Sequence, residues 1–307
     1  MKRALTFSAA VCGISFLAAI IFHLATGYTG ISPTIEQASA FRTFASLYMF
    51  LPLLTAIVLQ AIEGNIKVER RALRIRITAA HMPTGKFRPH WSWLAGSLLA
   101  PVVVALSILF SAPFADIVGP KEGMIAMMGS TPVPAEAMAE LDKLTDFSYI
   151  AITLLSGLLA GATINALFAY GEEYGWRGYM AEALGSTKFW KAALVIGFVW
   201  GLWHLPLILM GHNGYSNRAL GVVMMILFCL LAGVVELYLT RKSGTLWAAT
   251  IFHGTINALA GLGVLMIPSG DPLITGATGV AGLAALVVVI AALYIYDRYI
   301  SRDKIFG

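Results

Sequence analysis

The chain has 307 residues, of which 58% are hydrophobic and 12% are charged, and its mean hydropathy is +0.79. Ordinary soluble domains carry about 25% charged residues, so this composition excludes a soluble globular protein. Lysines and arginines number 21 against 16 aspartates and glutamates, which gives a net charge of +5. Because these cations stand in short segments between apolar runs, we expect them to set membrane orientation and not to bind nucleic acid.

Continuous apolar runs divide the chain, and each is long enough to cross a bilayer as a helix, which takes about 20 residues. They lie at approximately 4–27, 43–62, 91–115, 147–171, 191–211, 219–240, 246–267 and 273–296. Strands of membrane barrels alternate in polarity, whereas these runs do not. The sequence therefore predicts an all-α polytopic membrane protein with about eight transmembrane helices. Cys12 and Cys229 fall inside the runs and are interpreted as small buried hydrophobes.

The distribution of basic residues favours one orientation in the membrane. If the N-terminus is cytosolic, seventeen lysines and arginines fall on the cytosolic side, counting Lys191 among them. The four that fall outside are Arg42, Lys121, Lys143 and Arg218. Cytosolic loops carry an excess of Lys and Arg. We therefore expect an integral protein of the cell membrane with both termini in the cytosol.

The longest basic segment is 63–90, and its cations are Lys67, Arg70, Arg71, Arg74, Arg76, Lys86 and Arg88. It serves either as a solvated determinant of topology or as a surface that lies on anionic lipid headgroups. We divide the chain into three parts. Residues 1–146 hold the N-terminal helices with this basic loop and an acidic outer loop, 147–260 hold a candidate catalytic core, and 261–307 hold the last helix and a cytosolic tail.

Ionisable residues inside hydrocarbon are costly and mark candidate functional sites. In the fourth run, Glu173 and Arg177 are four residues apart, which places a carboxylate and a guanidinium on one helical face. Glu172 points about 100° away from that face, so it is free to act on water as a general base. The alternative is a surface salt bridge that ends the helix.

Histidines occupy the fifth and seventh runs. His204 lies beside Pro206, which breaks the helical hydrogen-bond ladder. His253 and Asn257 are four residues apart, so an imidazole and a carboxamide share one face and suit a developing oxyanion. The alternatives are a packing role for His204 and an interhelical hydrogen bond for the other two residues.

The position of Glu172 at the hydropathic edge of the fourth run conflicts with a buried role. We therefore predict that this helix continues through Tyr179, that its outer end starts later than Phe147, and that the next helix starts before Lys191. In the expected topology the three segments approach the cytosolic half of the bilayer. The site is accordingly expected to open toward the cytosol.

Three stretches of the sequence carry recognisable motifs. They read EEYGWRGYMAEAL, GFVWGLWHLPLIL and GVVELYLTRKSGTLWAATIFHGTIN, in that order. They resemble the E-E-x-x-x-R, F-x-x-x-H and H-x-x-x-N motifs of the CAAX protease and bacteriocin-processing family, which includes the type II CAAX prenyl endopeptidases. The resemblance covers roughly residues 147–260, and Trp200 stands where phenylalanine is usual. Because both residues are aromatic, we expect the packing role to be preserved.

The resemblance implies an intramembrane endopeptidase. Its implied catalytic residues are Glu172, His204, His253 and Asn257, and its implied supporting pair is Glu173 and Arg177. The first of these would activate water with help from His204, and the other two would form the oxyanion site. The family motif leaves open which glutamate is the base. The implied substrate is a membrane-associated peptide or a lipidated protein, with a prenylated CAAX tail as one class.

The cofactor and two further functions stay open at this stage. Two histidines and a glutamate are zinc ligands by type, so Glu172, His204 and His253 are candidate ligands. The chain contains no H-E-x-x-H motif, so it does not demand a metal. One alternative is a non-catalytic membrane scaffold or a bacteriocin-immunity protein, and the other is a proton-coupled transporter that uses Glu236. The oligomeric state is not determined by the sequence.

Overall fold

A computed structural model describes residues 1–63, 91–128 and 135–307. Within these ranges the backbone is helical, with connecting turns and no strand, which confirms the predicted all-α class. The helices are α1 Lys2–Thr26, α2 Ile35–Tyr48, α3 Leu51–Ile62, α4 Trp91–Ser111, α5 Pro120–Met128, α6 Ala135–Asp142, α7 Asp146–Ala162, α8 Ile164–Glu173, α9 Ala181–Leu184, α10 Phe189–Trp203, α11 Leu205–Leu209, α12 Arg218–Ser243, α13 Trp247–Met266 and α14 Val280–Ile295. Wider π-helical turns follow α8 and α14, at Tyr174–Met180 and Tyr296–Ile300.

The described helices confirm a polytopic membrane protein. Seven spans are long and apolar enough to cross a bilayer, and a bent pair of helices brings the number to eight. The second span begins at Ile35, earlier than the predicted run 43–62, and is interrupted between Tyr48 and Leu51. Most of the basic segment 63–90 lies outside the described residues, and so do all seven of its lysines and arginines.

The bent pair consists of α7 and the stretch Ile164–Leu184, which meet at 47°. Thr163 between them has φ −125° and ψ −96°, which is not helical. Helix does continue through Tyr179, and α10 starts at Phe189, as predicted, but the outer end starts at Asp146 and not later than Phe147. From Asp146 to Leu184 the pair contains about 58 Å of helix at 1.5 Å per residue, so it exceeds a bilayer and is accommodated by bending.

The helix ends fall into two groups at opposite ends of the bundle. The terminal end is defined by Arg3, Glu63, Phe189 and Phe306. There, Arg3 Nη2 lies 2.7 Å from Glu63 Oε2, and the rings of Phe189 and Phe306 are 4.8 Å apart. Both chain termini therefore lie at the terminal end.

The distal end is defined by Thr29, Leu209, Arg218 and Thr278, which belong to the connections at the other end of the spans. The Arg218 guanidinium donates hydrogen bonds to the carbonyl oxygens of Thr29 at 2.8 Å and Leu209 at 2.7 Å. Tyr215 donates its hydroxyl hydrogen to the Thr278 carbonyl at 3.1 Å. These bonds join three connections into one distal cap.

Helix α13 packs closely on α7 beside the residues that carry the motifs. A Cβ atom on Gly254 would lie 2.6 Å from the Gly161 carbonyl oxygen, which no side chain tolerates without a backbone shift. Asn165 donates its side-chain amide to the Gly254 carbonyl at 3.2 Å. Glycine at this position therefore lets α13 bring its neighbour His253 against the bent pair.

Candidate active site

The paired glutamates lie at the end of α8, where both side chains are buried. Glu173 Oε1 accepts a hydrogen bond from Arg177 Nη1 at 2.9 Å, so the predicted four-residue pairing is present. The pairing runs along the π-helical turn Tyr174–Met180, and such turns are frequent at functional sites. Glu172 does not share this bond and faces another set of partners.

Arg177 forms a buried bridge between two carboxylates. Its guanidinium contacts Glu173 on one side and forms an ion pair with Glu236 on the other, and the side chains of Arg177 and Glu173 are fully buried. The guanidinium carbon also lies 4.3 Å from the centre of the Trp200 ring. Glu236 thus belongs to the same cluster, which the sequence did not reveal because the pairing joins α12 to the bent pair.

His253 lies between the two glutamates. Its Nδ1 is 2.9 Å from Glu173 Oε1, and its Nε2 is 4.0 Å from Glu172 Oε1. A carboxylate at hydrogen-bond distance from Nδ1 fixes the hydrogen on that nitrogen and sets the ring orientation. Glu173 therefore acts on His253 as a positioning group, and Nε2 is the nitrogen presented to Glu172.

Trp200 holds Glu172 in place. Its indole Nε1–H donates a hydrogen bond to Glu172 Oε2 at 2.6 Å, and both side chains are buried. The sequence predicted only a packing role for this ring. A buried indole N–H usually finds an acceptor, and this general rule was the available signal.

His204 stands at a helix break, as Pro206 predicts. Helix α10 ends at Trp203 and α11 begins at Leu205. The Nδ1 atom of His204 lies 2.9 Å from the Trp200 carbonyl oxygen and 3.8 Å from the sulfur of Cys229. Because Nδ1 has the carbonyl as an acceptor, Nε2 is left for the cavity that His204 lines.

A cavity of about 420 Å³ brings the predicted catalytic residues together. Glu172, His204, His253 and Asn257 all line it, and so does Glu236. Asn257 lies one turn after His253 on α13 and is exposed to the cavity, with no side-chain hydrogen bond among the described residues. The structure thus places the four predicted side chains around one space.

The cavity extends to the distal end of the bundle. Its lining there includes Arg42, His212, Asn213 and Thr278, whereas among the described residues no connection of the terminal end lines it. His212 lies in the connection between α11 and α12. Burial lowers the pKa of the His212 imidazole to about 4, so the ring is neutral at neutral pH. The chain termini lie at the terminal end, whereas the lining of the cavity reaches the distal end; the membrane face on which the site opens stays a prediction.

The described residues do not fit the expected metal site. The set with ligand atoms within 4.8 Å of one another is Glu173, Glu236 and His253, and not the expected Glu172, His204 and His253. Both carboxylates of the observed set already contact Arg177, which supplies the positive charge that a metal ion would supply. We therefore derive no chemical step through a metal.

Comparison with known proteins agrees with this geometry. A family profile described as type II CAAX prenyl endopeptidase Rce1-like matches residues 143–259, and this range contains the four predicted catalytic residues. CAAX prenyl protease 2 of Methanococcus maripaludis is 30% identical over 215 residues, which is 68% of this chain. The match spans 66% of that relative's length. The chain belongs to the Rce1-like family of type II CAAX prenyl endopeptidases.

Proposed function

We propose that the protein is an intramembrane endopeptidase in which Glu172 activates water for attack on a peptide bond. The observation that carries the proposal is that the two oxygens of this carboxylate have different surroundings. Its Oε2 is held by the Trp200 indole at 2.6 Å, and its Oε1 lies 4.0 Å from His253 Nε2 at the wall of the cavity. One oxygen is therefore fixed while the other faces the space that a substrate enters.

The neighbouring residues supply the remaining parts of a hydrolytic reaction. Glu172 removes a proton from water as the oxygen attacks the carbonyl carbon, which is general base catalysis. The His253 ring, protonated on both nitrogens beside the carboxylates of Glu172, Glu173 and Glu236, donates from Nε2 to the carbonyl oxygen as that oxygen gains negative charge, and the Asn257 amide donates to the same oxygen. His204, which also lines the cavity, accepts a hydrogen bond from the attacking water at Nε2, and the proton that Glu172 has taken passes to the amine nitrogen as the C–N bond breaks.

The three buried charges behind the site position His253. Glu173 contacts its Nδ1, and Arg177 joins Glu173 to Glu236. A histidine ring that a carboxylate holds in one orientation is in place before the substrate arrives, which lowers the cost of reaching the transition state. Glu173 is thus proposed as a positioning residue and Glu172 as the base.

The proposed substrate is a peptide segment associated with the bilayer. The relative from Methanococcus maripaludis is named a CAAX prenyl protease, so a prenylated CAAX tail is the first substrate class to test here. Apolar side chains in the cavity wall, Phe41, Phe228 and Phe252, suit a lipid chain or apolar peptide residues. Both the protein and this proposed substrate are embedded in the lipid bilayer or associated with it.

The two alternatives explain less of the site. A scaffold or immunity protein accounts for the buried ion pairs, but it gives no reason for Asn257 to face the cavity without a bonded partner in the described structure. A transporter needs a carboxylate that exchanges protons with both sides. Glu236 is instead buried and paired with Arg177.

The test is hydrolysis of a quenched farnesylated CAAX peptide by the purified protein in detergent, where both ends of the bundle are accessible. We expect the wild type and Glu36→Gln, a variant of an exposed glutamate, to cleave the peptide, and Glu172→Gln to leave it intact. Equal cleavage by all three proteins would overturn the role of Glu172. Absence of cleavage by the wild type would overturn the prenylated substrate. A chelator added to the wild type tests zinc, and we expect the rate to be unchanged.

A further inference from the structure

The helix break at His204 rests against two N-terminal helices. Trp203, the last residue of α10, is fully buried, and its ring stands edge-on to the His204 imidazole with the ring centres 4.7 Å apart. The Trp203 indole Nε1–H donates a hydrogen bond to Ser15 Oγ on α1 at 2.7 Å. Tyr48, the last residue of α2, donates its hydroxyl hydrogen to the Trp203 carbonyl oxygen at 3.1 Å. The side chain and the backbone of Trp203 are therefore each bonded to a helix that precedes the predicted catalytic core.

The bond from Tyr48 lies where the helix backbone is weakest. Pro206 has no N–H, so carbonyl oxygens in the turn before it lose helical donors. Helix α10 ends at Trp203, and α11 begins two residues later. A buried carbonyl without a donor is costly inside a membrane, because no water is present to replace the bond. Tyr48 supplies a donor to the residue directly before His204, and it therefore fixes the backbone from which that imidazole projects.

The end of α2 also contacts the helix that carries Glu172. A Cβ atom on Gly171 would lie 2.7 Å from the Met49 carbonyl oxygen, so glycine at this position lets α2 approach the bent pair closely. Gly171 directly precedes Glu172, and Met49 directly follows Tyr48. Two consecutive residues at the end of α2 therefore contact both parts of the site. One lies against the helix of Glu172, and the other is bonded to the helix break at His204.

We propose that Tyr48 and Ser15 are positioning residues that hold His204 in place relative to Glu172, so that the two N-terminal helices take part in hydrolysis. The inference rests on the proposed function, in which His204 accepts a hydrogen bond from the attacking water. Among the described residues that line the cavity there is neither Tyr48 nor Ser15, so both act through the helix break and not on the substrate. Both also lie outside 143–259, the range that the family profile matches.

The two residues should affect turnover and leave substrate binding unchanged. Hydrolysis depends on where His204 Nε2 holds the water relative to Glu172, and small displacements of reacting groups slow a reaction strongly. The cavity wall that contacts the substrate keeps its side chains when Tyr48 or Ser15 is changed. An interaction that is made only in the transition state lowers kcat and leaves KM unchanged when it is lost. This split between kcat and KM distinguishes positioning of the catalytic group from a role in binding the peptide.

Removal of single hydroxyl groups tests the proposal. Tyr48→Phe keeps the ring, which packs on Trp203 with the ring centres 4.5 Å apart. We expect its kcat for the quenched peptide to fall about 3- to 10-fold with KM unchanged, as for the loss of one hydrogen bond. Ser15→Ala, which removes the acceptor of the indole, should act in the same direction. The matched control is Tyr238→Phe, which removes a buried hydroxyl that donates to Asp297 Oδ1 at 3.3 Å, and its kcat should equal that of the wild type. Equal kcat values for Tyr48→Phe and the control would overturn the proposal.

A double-mutant cycle shows whether Tyr48 acts through His204. In His204→Ala the imidazole that Tyr48 positions is absent, so the further change Tyr48→Phe should not lower the residual single-turnover rate. A general loss of folded protein would instead lower the rate by the same factor in the wild type and in His204→Ala. That second result would show a structural role alone and would overturn the proposal.

A measurement without enzymatic activity separates this inference from the proposed function. The chain has six histidines, and in the NMR spectrum of the ¹⁵N-histidine-labelled protein in detergent the ring signals that vanish in His204→Ala belong to His204. We expect Tyr48→Phe to shift these signals and Tyr238→Phe to leave them in place. Unchanged His204 signals in Tyr48→Phe would overturn the positioning role, whatever the activity. Shifted signals in a protein that cleaves no peptide would support the positioning of His204 and contradict only the proposed function.

Discussion

Arg177 offers the sharpest test of the buried charge cluster, because one side chain neutralises two carboxylates. Its guanidinium bonds to Glu173 at 2.9 Å and forms an ion pair with Glu236. All three side chains are almost wholly shielded from solvent. Substitution Arg177→Met keeps much of the volume but leaves two carboxylates buried without their cation.

The expected cost is large. Breaking a buried ion pair by removing one partner costs about 3–5 kcal/mol, because the remaining charge stays desolvated. In a protein of this size about 1 kcal/mol shifts the Tm by roughly 2–4 °C. We therefore expect the Tm of Arg177→Met in detergent to fall by about 10 °C. The exposed Arg298→Met is the matched control, and its Tm should stay close to that of the wild type.

A double variant separates lost charge balance from lost packing. In Arg177→Met two buried carboxylates lack their cation, and Glu236→Gln removes the charge of one of them. The double variant Arg177→Met/Glu236→Gln should therefore be more stable than Arg177→Met alone. The assay is thermal unfolding of the purified protein, followed by tryptophan fluorescence. A Tm for Arg177→Met within about 2 °C of wild type would refute the reasoning, since it falls below the expected cost. So would a double variant that is less stable than the single one.

Three further predictions concern the site and its mouth. Trp200→Phe removes the hydrogen bond to Glu172, worth about 1.5–3 kcal/mol when one partner is charged, so kcat/KM for the quenched peptide should fall about 10- to 100-fold. Cys229→Ala should leave hydrolysis unchanged, because the buried sulfur does not line the cavity although it lies 3.8 Å from His204 Nδ1; lost turnover would instead indicate a thiol nucleophile. Burial lowers the pKa of His212 from 6.5 to about 4, so the neutral form stabilises the fold fully above pH 6.5 and this contribution is lost as the pH falls toward 4. His212→Phe should therefore lose less stability over that pH range, as measured by Tm.

The sequence predicted the spans and the local pairs because both depend on neighbours along one helix. Apolar runs of sufficient length identify the membrane helices. The spacing of Glu173 and Arg177 places them on one face, and the structure contains their hydrogen bond. His204 lies at a helix break because Pro206 cannot continue the hydrogen-bond ladder.

Contacts between different helices could not be predicted from the sequence. Glu236 joins the cluster from α12, and Trp200 donates to Glu172 from α10, and neither pairing has a spacing that could reveal it. The 47° bend at Thr163 also escaped prediction, because neither proline nor glycine occupies that position. Periodicity gives the face of a helix, but it does not say which other helix meets that face.

The route into the cavity was also beyond what the sequence could predict. In the expected topology the segments that carry Glu172, His204 and His253 approach the cytosolic half of the bilayer, and the site was therefore expected to open toward the cytosol, which stays a prediction. Depth alone does not fix the route of access. The side chains between the site and each surface decide it, and those near the terminal end are packed while Arg42 and Thr278 line a cavity.

The most direct measurement of the central claim is single-turnover hydrolysis by Glu172→Gln and Glu173→Gln side by side, with the Tm of each. We predict that Glu172→Gln loses about 10²–10⁴-fold in rate, the usual contribution of a general base, while its Tm stays near that of wild type. Glu173→Gln should lose less activity but unfold at a lower temperature, because Arg177 and His253 lose a charged partner. A wild-type rate for Glu172→Gln would contradict its assignment as the base.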